Sequence, residues 1–268
     1  MNGTSGTEST QGPATQGHEP DIHKLIVDGY GTRTLVALGI LMSIYLVVFI
    51  KWGHVIVWAR GLDLLLVCIW IFMTWLLTWN IDAKRDIPLA VVACAGGFVI
   101  EWWGTNTEIW SYFTHDRPPP WIIPAWPVAA LAVDRLALFV DRKIAPDMRL
   151  DWAYWLMVPA FVVGMTAFAW PTHSEISTCV VVGLMIGVML SVTDIRRDVV
   201  LFLAGAALGI LLEYWGTSRQ CWTYWTAQVP PPICIVAHGF ASVAFNRGVE
   251  VWAWSRALLP ETRASVTA

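Results

Sequence analysis

Charged side chains are scarce in this chain: Asp, Glu, Lys and Arg make up only 14% of its 268 residues. Soluble domains usually carry about 25% charged residues, so this chain has too little polar surface for a soluble fold. The net charge of −3 offers no basic surface for phosphates, which excludes a nucleic-acid-binding protein. With 56% hydrophobic residues and a mean hydropathy of +0.56, the composition predicts a polytopic membrane protein.

Paired cysteine motifs are also missing. The five cysteines occur singly, without C-x-x-C spacing, and most lie inside apolar runs where a free thiol behaves as a small hydrophobic group. The first twenty residues contain no hydrophobic centre and are rich in Gly, Ser, Thr and Gln, which is not the pattern of a signal peptide. We therefore expect residues 1–30 to form a disordered cytoplasmic tail.

Long apolar runs recur along the rest of the chain. Each is about 17–20 residues long, which is enough to cross roughly 30 Å of hydrocarbon as a helix. The runs lie near residues 34–50, 62–79, 87–103, 121–140, 152–170, 177–193, 199–215 and 232–251. The sequence thus predicts an all-α polytopic membrane protein with about eight transmembrane helices.

The distribution of basic residues predicts the orientation of these helices. Of the 17 Lys and Arg residues, all but Lys51, Arg60, Arg117 and Arg219 fall on the side that holds both termini. By the positive-inside rule, both termini are then cytoplasmic and the protein lies in the inner (cytoplasmic) membrane. The loops around 104–120 and 216–231 are expected to face outward.

A sequence repeat links two parts of the chain at an offset of 112 residues. Residues 101–136 and 213–248 align without gaps and are identical at 15 of 36 positions, including rare Trp and Pro residues. We expect two parallel four-helix repeats, residues 31–145 and 146–255, followed by a cytoplasmic tail at 256–268. An even number of spans per copy puts both copies in the same orientation, related by an axis along the membrane normal.

Each copy carries a glutamate close to the outer end of a predicted span. Glu101 shares a helix face with Gly97, Gly104 and Thr105, and Glu213 shares the same face in the second copy. A carboxylate in an apolar environment is costly and is either satisfied by donors or used. Two interpretations stay open: each Glu accepts hydrogen bonds that pin the nearby loop, or each Glu is a proton donor, a base or a ligand.

Aromatic residues recur at fixed offsets from the two glutamates. The motif E-x-W-G-T is followed by W-x-Y, expected as a short extended piece, and then by three prolines. An interfacial aromatic belt accounts for many of the 18 tryptophans. Aromatic walls beside an acid, however, suit a polyene or another apolar ligand. The faces of the rings also stabilise a cation. The predicted substrate-binding residues are Trp103, Thr105, Trp110, Tyr112, Trp215, Thr217, Trp222, Tyr224 and His238.

The two copies differ at a few positions close to the shared motif, so a site built from both copies would not be symmetric. His115 and Asp116 correspond to Ala227 and Gln228, and Trp126 corresponds to His238. His238 is read either as a helix–helix hydrogen-bond partner or as an acid–base group. Metal-ligand spacings such as H-x-x-x-H are missing, so neither a metal nor a cofactor is predicted.

The predicted inner loops read D-A-K-R-D and D-I-R-R-D and are expected to form ion pairs and helix caps. Asp86, just before Ile87 and Pro88, has the form of a helix N-cap.

The E-x-x-G-T motif, the aromatic segment and the prolines resemble the integral-membrane carotenoid 1,2-hydratases of bacteria and archaea. This resemblance covers Glu101 to Trp126 and, more weakly, Glu213 to Ala237. It implies addition of water to a terminal isoprenoid double bond, with Glu101 or Glu213 as the acid. The expected partner is thus a membrane lipid or isoprenoid in a Trp/Tyr-lined outward-facing pocket. Alternatives are a non-catalytic subunit or pigment-binding component of a larger membrane complex and, third, a transporter.

Overall fold

The fold is mostly helical. The computed structural model describes residues 31–53, 61–145 and 148–258, so the predicted N-terminal tail and residues 259–268 lie outside the described residues. The described part of the chain contains eight α-helices, each overlapping one of the predicted apolar runs. They are α1 (Thr32–Trp52), α2 (Gly61–Thr78), α3 (Ala83–Asn106), α4 (Ala125–Asp141), α5 (Asp151–Phe168), α6 (Ile176–Leu190), α7 (Ile195–Ser218) and α8 (Pro232–Leu258). A short 3₁₀ turn, Trp170–Thr172, follows α5.

Four of these helices, α1, α3, α5 and α7, are long and apolar enough to cross a membrane. Helices α2 and α6 are also apolar but shorter. Large apolar side chains such as Ile50, Val163 and Ile176 are exposed on the helix surfaces, as expected where lipid replaces water. The structure therefore gives a helical protein with four candidate spans, and the count of eight crossings stays a prediction.

The described residues also contain one small antiparallel sheet, which the all-α prediction did not include. Strand β1 (Trp110–Tyr112) follows α3, and strand β2 (Trp222–Tyr224) follows α7. The register pairs Trp110 with Tyr224, Ser111 with Thr223 and Tyr112 with Trp222. The expectation that both W-x-Y segments are extended is confirmed, and their pairing joins the two aligned segments of the sequence.

Four helices form the centre of the molecule. Helix α3 packs against α4 and α8, and α7 packs against the same two helices, so that α3 and α7 lie diagonally opposite. Helix α2 packs on α4 and α7, while α6 packs on α8 and α3. The helix that precedes each W-x-Y strand has the same length in both segments, since α3 and α7 each contain 24 residues. The strands β1 and β2 contain three residues each.

Two buried ion pairs lie at the end of the bundle opposite the strands. Arg135 is 1% exposed and bonds Asp86 at 2.5 Å, while Arg247 bonds Asp198 at the corresponding positions of the second segment. The prediction that Asp86 is the N-cap residue is wrong, because the helix begins one turn earlier and Asp82 is the N-cap, accepting from the Lys84 N–H. Asp86 lies in the first turn of α3, where its carboxylate accepts from the Asp82 N–H and from Arg135.

Candidate functional site

Glu101 is enclosed by three hydrogen-bond donors at the strand end of α3. Its Oε2 accepts from the indole N–H of Trp110 at 3.1 Å and from the Tyr112 hydroxyl at 2.9 Å. Its Oε1 accepts from the indole N–H of Trp126 at 3.1 Å. The side chain is only 4% exposed, so these donors replace the water that a carboxylate would otherwise require.

Glu213 occupies the corresponding position on α7 and has nearly the same surroundings. The Trp222 indole N–H donates to it at 3.1 Å, and the Tyr224 hydroxyl donates at 2.9–3.0 Å. The third partner is different, because Nε2 of His238 lies 2.9 Å from Oε1 of Glu213. Each Glu thus accepts hydrogen bonds from the W-x-Y segment of its own copy, which is the contact that the first of the two open interpretations describes.

Glycines on α3 and α7 make room for these aromatic donors. A Cβ on Gly104 would overlap the ring of Trp110, and a Cβ on Gly216 would overlap the ring of Trp222. One helical turn before each Glu, a Cβ on Gly97 would overlap Trp126 and a Cβ on Gly209 would overlap His238. The repeated Gly positions therefore do more than allow close helix packing, since they seat the rings that bind each carboxylate.

The third partners of the two glutamates meet between the copies. The Trp126 ring and the His238 imidazole stack with centroids 5.9 Å apart and planes 18° apart. An indole N–H only donates, whereas an imidazole both donates and accepts and can carry a proton. The His238 side chain is 23% exposed, so the imidazole is partly accessible although the carboxylate that it contacts is buried.

Other predicted site residues point to neighbouring elements. The Trp103 indole donates to Thr178 on α6, and the Trp215 indole donates to Asp63 on α2. The hydroxyls of Thr105 and Thr217 each donate to the carbonyl of the Glu one turn earlier, at 2.6 Å. These four side chains are therefore not brought to the carboxylates. The two tryptophans tie the glutamate helices to α6 and α2, and the two threonines bond within their own helices. Thr105 also lines a cavity at the strand end of the bundle.

A polar cavity of about 330 Å³ lies at the strand end of the bundle. The hydroxyl-bearing side chains of Tyr112 and Tyr224 line it together with Thr105, Ser111 and Thr223. Charged and polar groups of the first copy complete the lining: Glu108, His115, Asp116 and Arg117, with Trp225 from the second copy. The cavity lies beside the aromatic residues, but its lining is polar and its size suits water or a small polar group. The Trp/Tyr-lined, outward-facing lipid pocket stays a prediction.

The two tyrosines keep their protons under ordinary conditions. Burial, and then the negative charge of the neighbouring glutamate, raises the pKa of Tyr112 well above its usual value. The same two causes raise the pKa of Tyr224. Both phenols are therefore neutral near pH 7, where each donates to a carboxylate.

Sequence reasoning missed two groups that hold this end of the bundle. Asp63, 1% exposed near the start of α2, accepts from Trp215 and forms an ion pair with Arg219 at 3.0 Å. Thr178 on α6 is the corresponding partner of Trp103. An acidic residue within an apolar run was the available signal for Asp63. For Thr178 the sequence carries no signal, because a threonine in an apolar helix is common.

Within the described ranges, no cluster of three or more His, Cys, Asp or Glu side chains has an arrangement that fits a metal ion. The fold and the site together define an α-helical protein with candidate membrane-spanning helices and a pair of aromatic-caged carboxylates. Comparison with protein-family models, with curated proteins and with solved structures gives no match.

Proposed function

We propose that this protein is an inner-membrane enzyme that binds an isoprenoid or a similar lipid and adds water to an alkene. In this proposal the chain crosses the membrane eight times as two parallel four-helix repeats. Both termini are cytoplasmic, and the strand end, with its polar cavity, faces outward. The equal lengths of α3 and α7 and the symmetric pairing of β1 with β2 support the parallel arrangement.

The observation that carries the chemical proposal is the pairing of Glu213 with His238. At Glu101 the equivalent partner is Trp126, whose indole N–H donates a hydrogen bond but does not act as an acid or a base. At Glu213 a titratable imidazole lies 2.9 Å from the carboxylate and is partly exposed. We therefore assign the acid–base role to Glu213 with His238, and a structural role to the Glu101 cage.

The proposed reaction needs a proton donor, a cation-stabilising wall and water. The protonated Glu213 side chain gives its proton to the terminal carbon of a trisubstituted alkene, and the electron pair of the double bond forms the new C–H bond. The resulting tertiary cation lies against the aromatic ring faces of Trp222 and Tyr224. Water adds to the cation and gives its extra proton back to the Glu213–His238 pair, which restores the starting state.

A second candidate function has its own support. Both carboxylates accept at least three hydrogen bonds, and both are almost fully buried. Such saturation is what a structural carboxylate requires. The alternative is a non-catalytic subunit or pigment-binding component of a larger membrane complex, in which the cages fix the loops that face a partner.

One experiment separates the two candidates. The protein is expressed in cells that make carotenoids or other polyprenoids, and the lipids are analysed by mass spectrometry for a product heavier by one water. We expect this product with the wild type and with Trp126→Phe, and its loss with Glu213→Gln and His238→Gln. His238→Gln is a close control for packing, because its amide still reaches Glu213 but carries no titratable proton.

The absence of a hydrated product from the wild type, together with co-purification of intact pigment or partner subunits, would contradict the enzyme proposal. Equal loss of product in Trp126→Phe and His238→Gln would contradict the assignment to the second copy, because it would show that both cages are needed only for folding.

A further inference from the structure

The polar cavity at the strand end touches both carboxylate cages through a tyrosine each. Tyr112 lines the cavity, and its hydroxyl donates to Glu101 at 2.9 Å. Tyr224 also lines the cavity, and its hydroxyl donates to Glu213 at 2.9 Å. Each carboxylate is therefore one phenol away from a polar space that is large enough for water, although it is itself nearly inaccessible.

We propose that this cavity is the entrance for water and protons to both glutamates, and that the hydroxyls of Tyr112 and Tyr224 relay the protons. A hydronium ion in the cavity gives a proton to the phenol oxygen while the phenolic proton passes to the carboxylate. The products are one water, a neutral tyrosine and a carboxylic acid, so charge and atoms balance. Rotation of the hydroxyl resets the relay for the next proton.

The chemistry of the two tyrosines fits a relay. A phenol oxygen accepts one hydrogen bond while its O–H donates another, which the indole N–H groups in the same cages are unable to do. Burial keeps both phenols neutral, since it raises the pKa of each above its usual value. At Glu101 the other partners, Trp110 and Trp126, close the remaining sides with donors only. At Glu213 the Trp222 indole is also a donor only, and His238 is the one further partner that both donates and accepts.

The cavity lining differs between the two copies in a way that suits an entrance. His115, Asp116 and Arg117 of the first copy have Ala227, Gln228 and Val229 as their counterparts in the second. Only the first three of these side chains line the cavity, which makes its wall more polar on the side of the first copy. The titratable or charged groups near the cages are His238, Cys221 and Cys234, with Glu108, His115, Asp116 and Arg117 around the cavity.

The relay is tested without any lipid substrate, by infrared spectroscopy of the purified full-length protein. The pH is lowered until the C=O stretch of protonated carboxyl groups appears, and Glu101→Gln and Glu213→Gln assign the two bands. The sample is then moved into D₂O, and the rate of hydrogen–deuterium exchange at each carboxyl group is measured. The inference rests on the proposed function only in sharing Glu213, and its outcome is independent of whether water is added to an alkene.

Two kinds of variant test separate parts of the relay. Tyr224→Phe is expected to slow exchange at Glu213 by about tenfold to hundredfold, because a positioned proton-transfer group is typically worth at least that much. Tyr112→Phe is expected to do the same at Glu101. Thr223→Trp fills the cavity from an exposed strand position, leaves both hydroxyls in place and is expected to slow exchange at both sites.

The matched control is Tyr214→Phe, which removes a hydroxyl from the exposed neighbour of Glu213 and is expected to change nothing. Wild-type exchange rates in both Tyr→Phe variants would overturn the relay. Unchanged rates in Thr223→Trp would overturn the cavity as the entrance, even if the tyrosine variants are slow. Slowing by Tyr214→Phe equal to that by Tyr224→Phe would overturn the relay as well.

Discussion

Replacing each caged glutamate with glutamine is expected to have unequal effects on stability. At Glu101 the amide group of a glutamine meets two indole donors and one tyrosine hydroxyl. If the amide oxygen takes the place of Oε2, the amide N–H₂ faces the Trp126 N–H. If the amide is flipped, the Trp110 N–H is left without an acceptor. In both orientations one buried donor is orphaned.

At Glu213 the same substitution leaves no orphan. The amide oxygen at the Oε2 position accepts from Trp222 and Tyr224, while the amide N–H₂ donates to Nε2 of a neutral His238. An orphaned buried donor costs about 1–3 kcal/mol. We therefore expect Glu101→Gln to lower the free energy of unfolding by about 1–3 kcal/mol more than Glu213→Gln does.

The assay is reversible unfolding of the purified variants in mixed micelles, followed by tryptophan fluorescence. The orphan is removed by adding Trp126→Phe to Glu101→Gln, so the double variant should be less destabilised than the sum of the single variants. Equal costs for the two glutamine variants would refute the reasoning. An additive double-variant cycle would refute it as well, because it would mean that the amide and the indole do not meet.

Three further results are expected. Gly104→Ala and Gly216→Ala should each lower the free energy of unfolding by about 1–3 kcal/mol in the same assay, because a Cβ overlaps an indole ring, whereas Gly183→Ala, where nothing lies near, should be neutral. Arg135→Met should cost about 3–5 kcal/mol, since it removes the closest ionic partner of Asp86 and leaves that carboxylate with only the more exposed Arg85, and adding Asp86→Leu should recover part of that loss. Burial raises the pKa of the Cys221 thiol to about 11. In a variant with no other cysteine, the rate of maleimide labelling should therefore be slow near neutral pH and rise with pH until about 11. Fast labelling near pH 7 would contradict this.

The sequence predicts the positions of the helices well, because the apolar runs are long and the basic residues and prolines mark their ends. The contact of Trp110 and Tyr112 with Glu101 was also predictable, since these residues keep a fixed spacing from the glutamate in both copies. A spacing of nine to eleven residues spans one helix end and one turn, so local geometry largely determines it.

Contacts between the two copies were not predictable in the same way. The alignment shows that Trp126 and His238 differ between the copies. The stacking of these two rings, however, depends on how α4 and α8 approach each other. The pairing of β1 with β2 likewise depends on the packing of α3 and α7 around the same two helices. Such contacts arise from tertiary packing, and residue spacing along one chain carries no information about them.

The register of the two strands is symmetric in its residue pairs. Ser111 pairs with Thr223, and on either side a tryptophan of one strand pairs with a tyrosine of the other. A chain with only one W-x-Y strand matches this register with a second copy of itself, because exchanging the partners leaves the pairs unchanged. This register is therefore the one that two identical strands would form across a two-fold axis. Within one polypeptide the surroundings of the two strands need not be identical, and His238, which occupies the position equivalent to Trp126 and stacks on it, is such a difference.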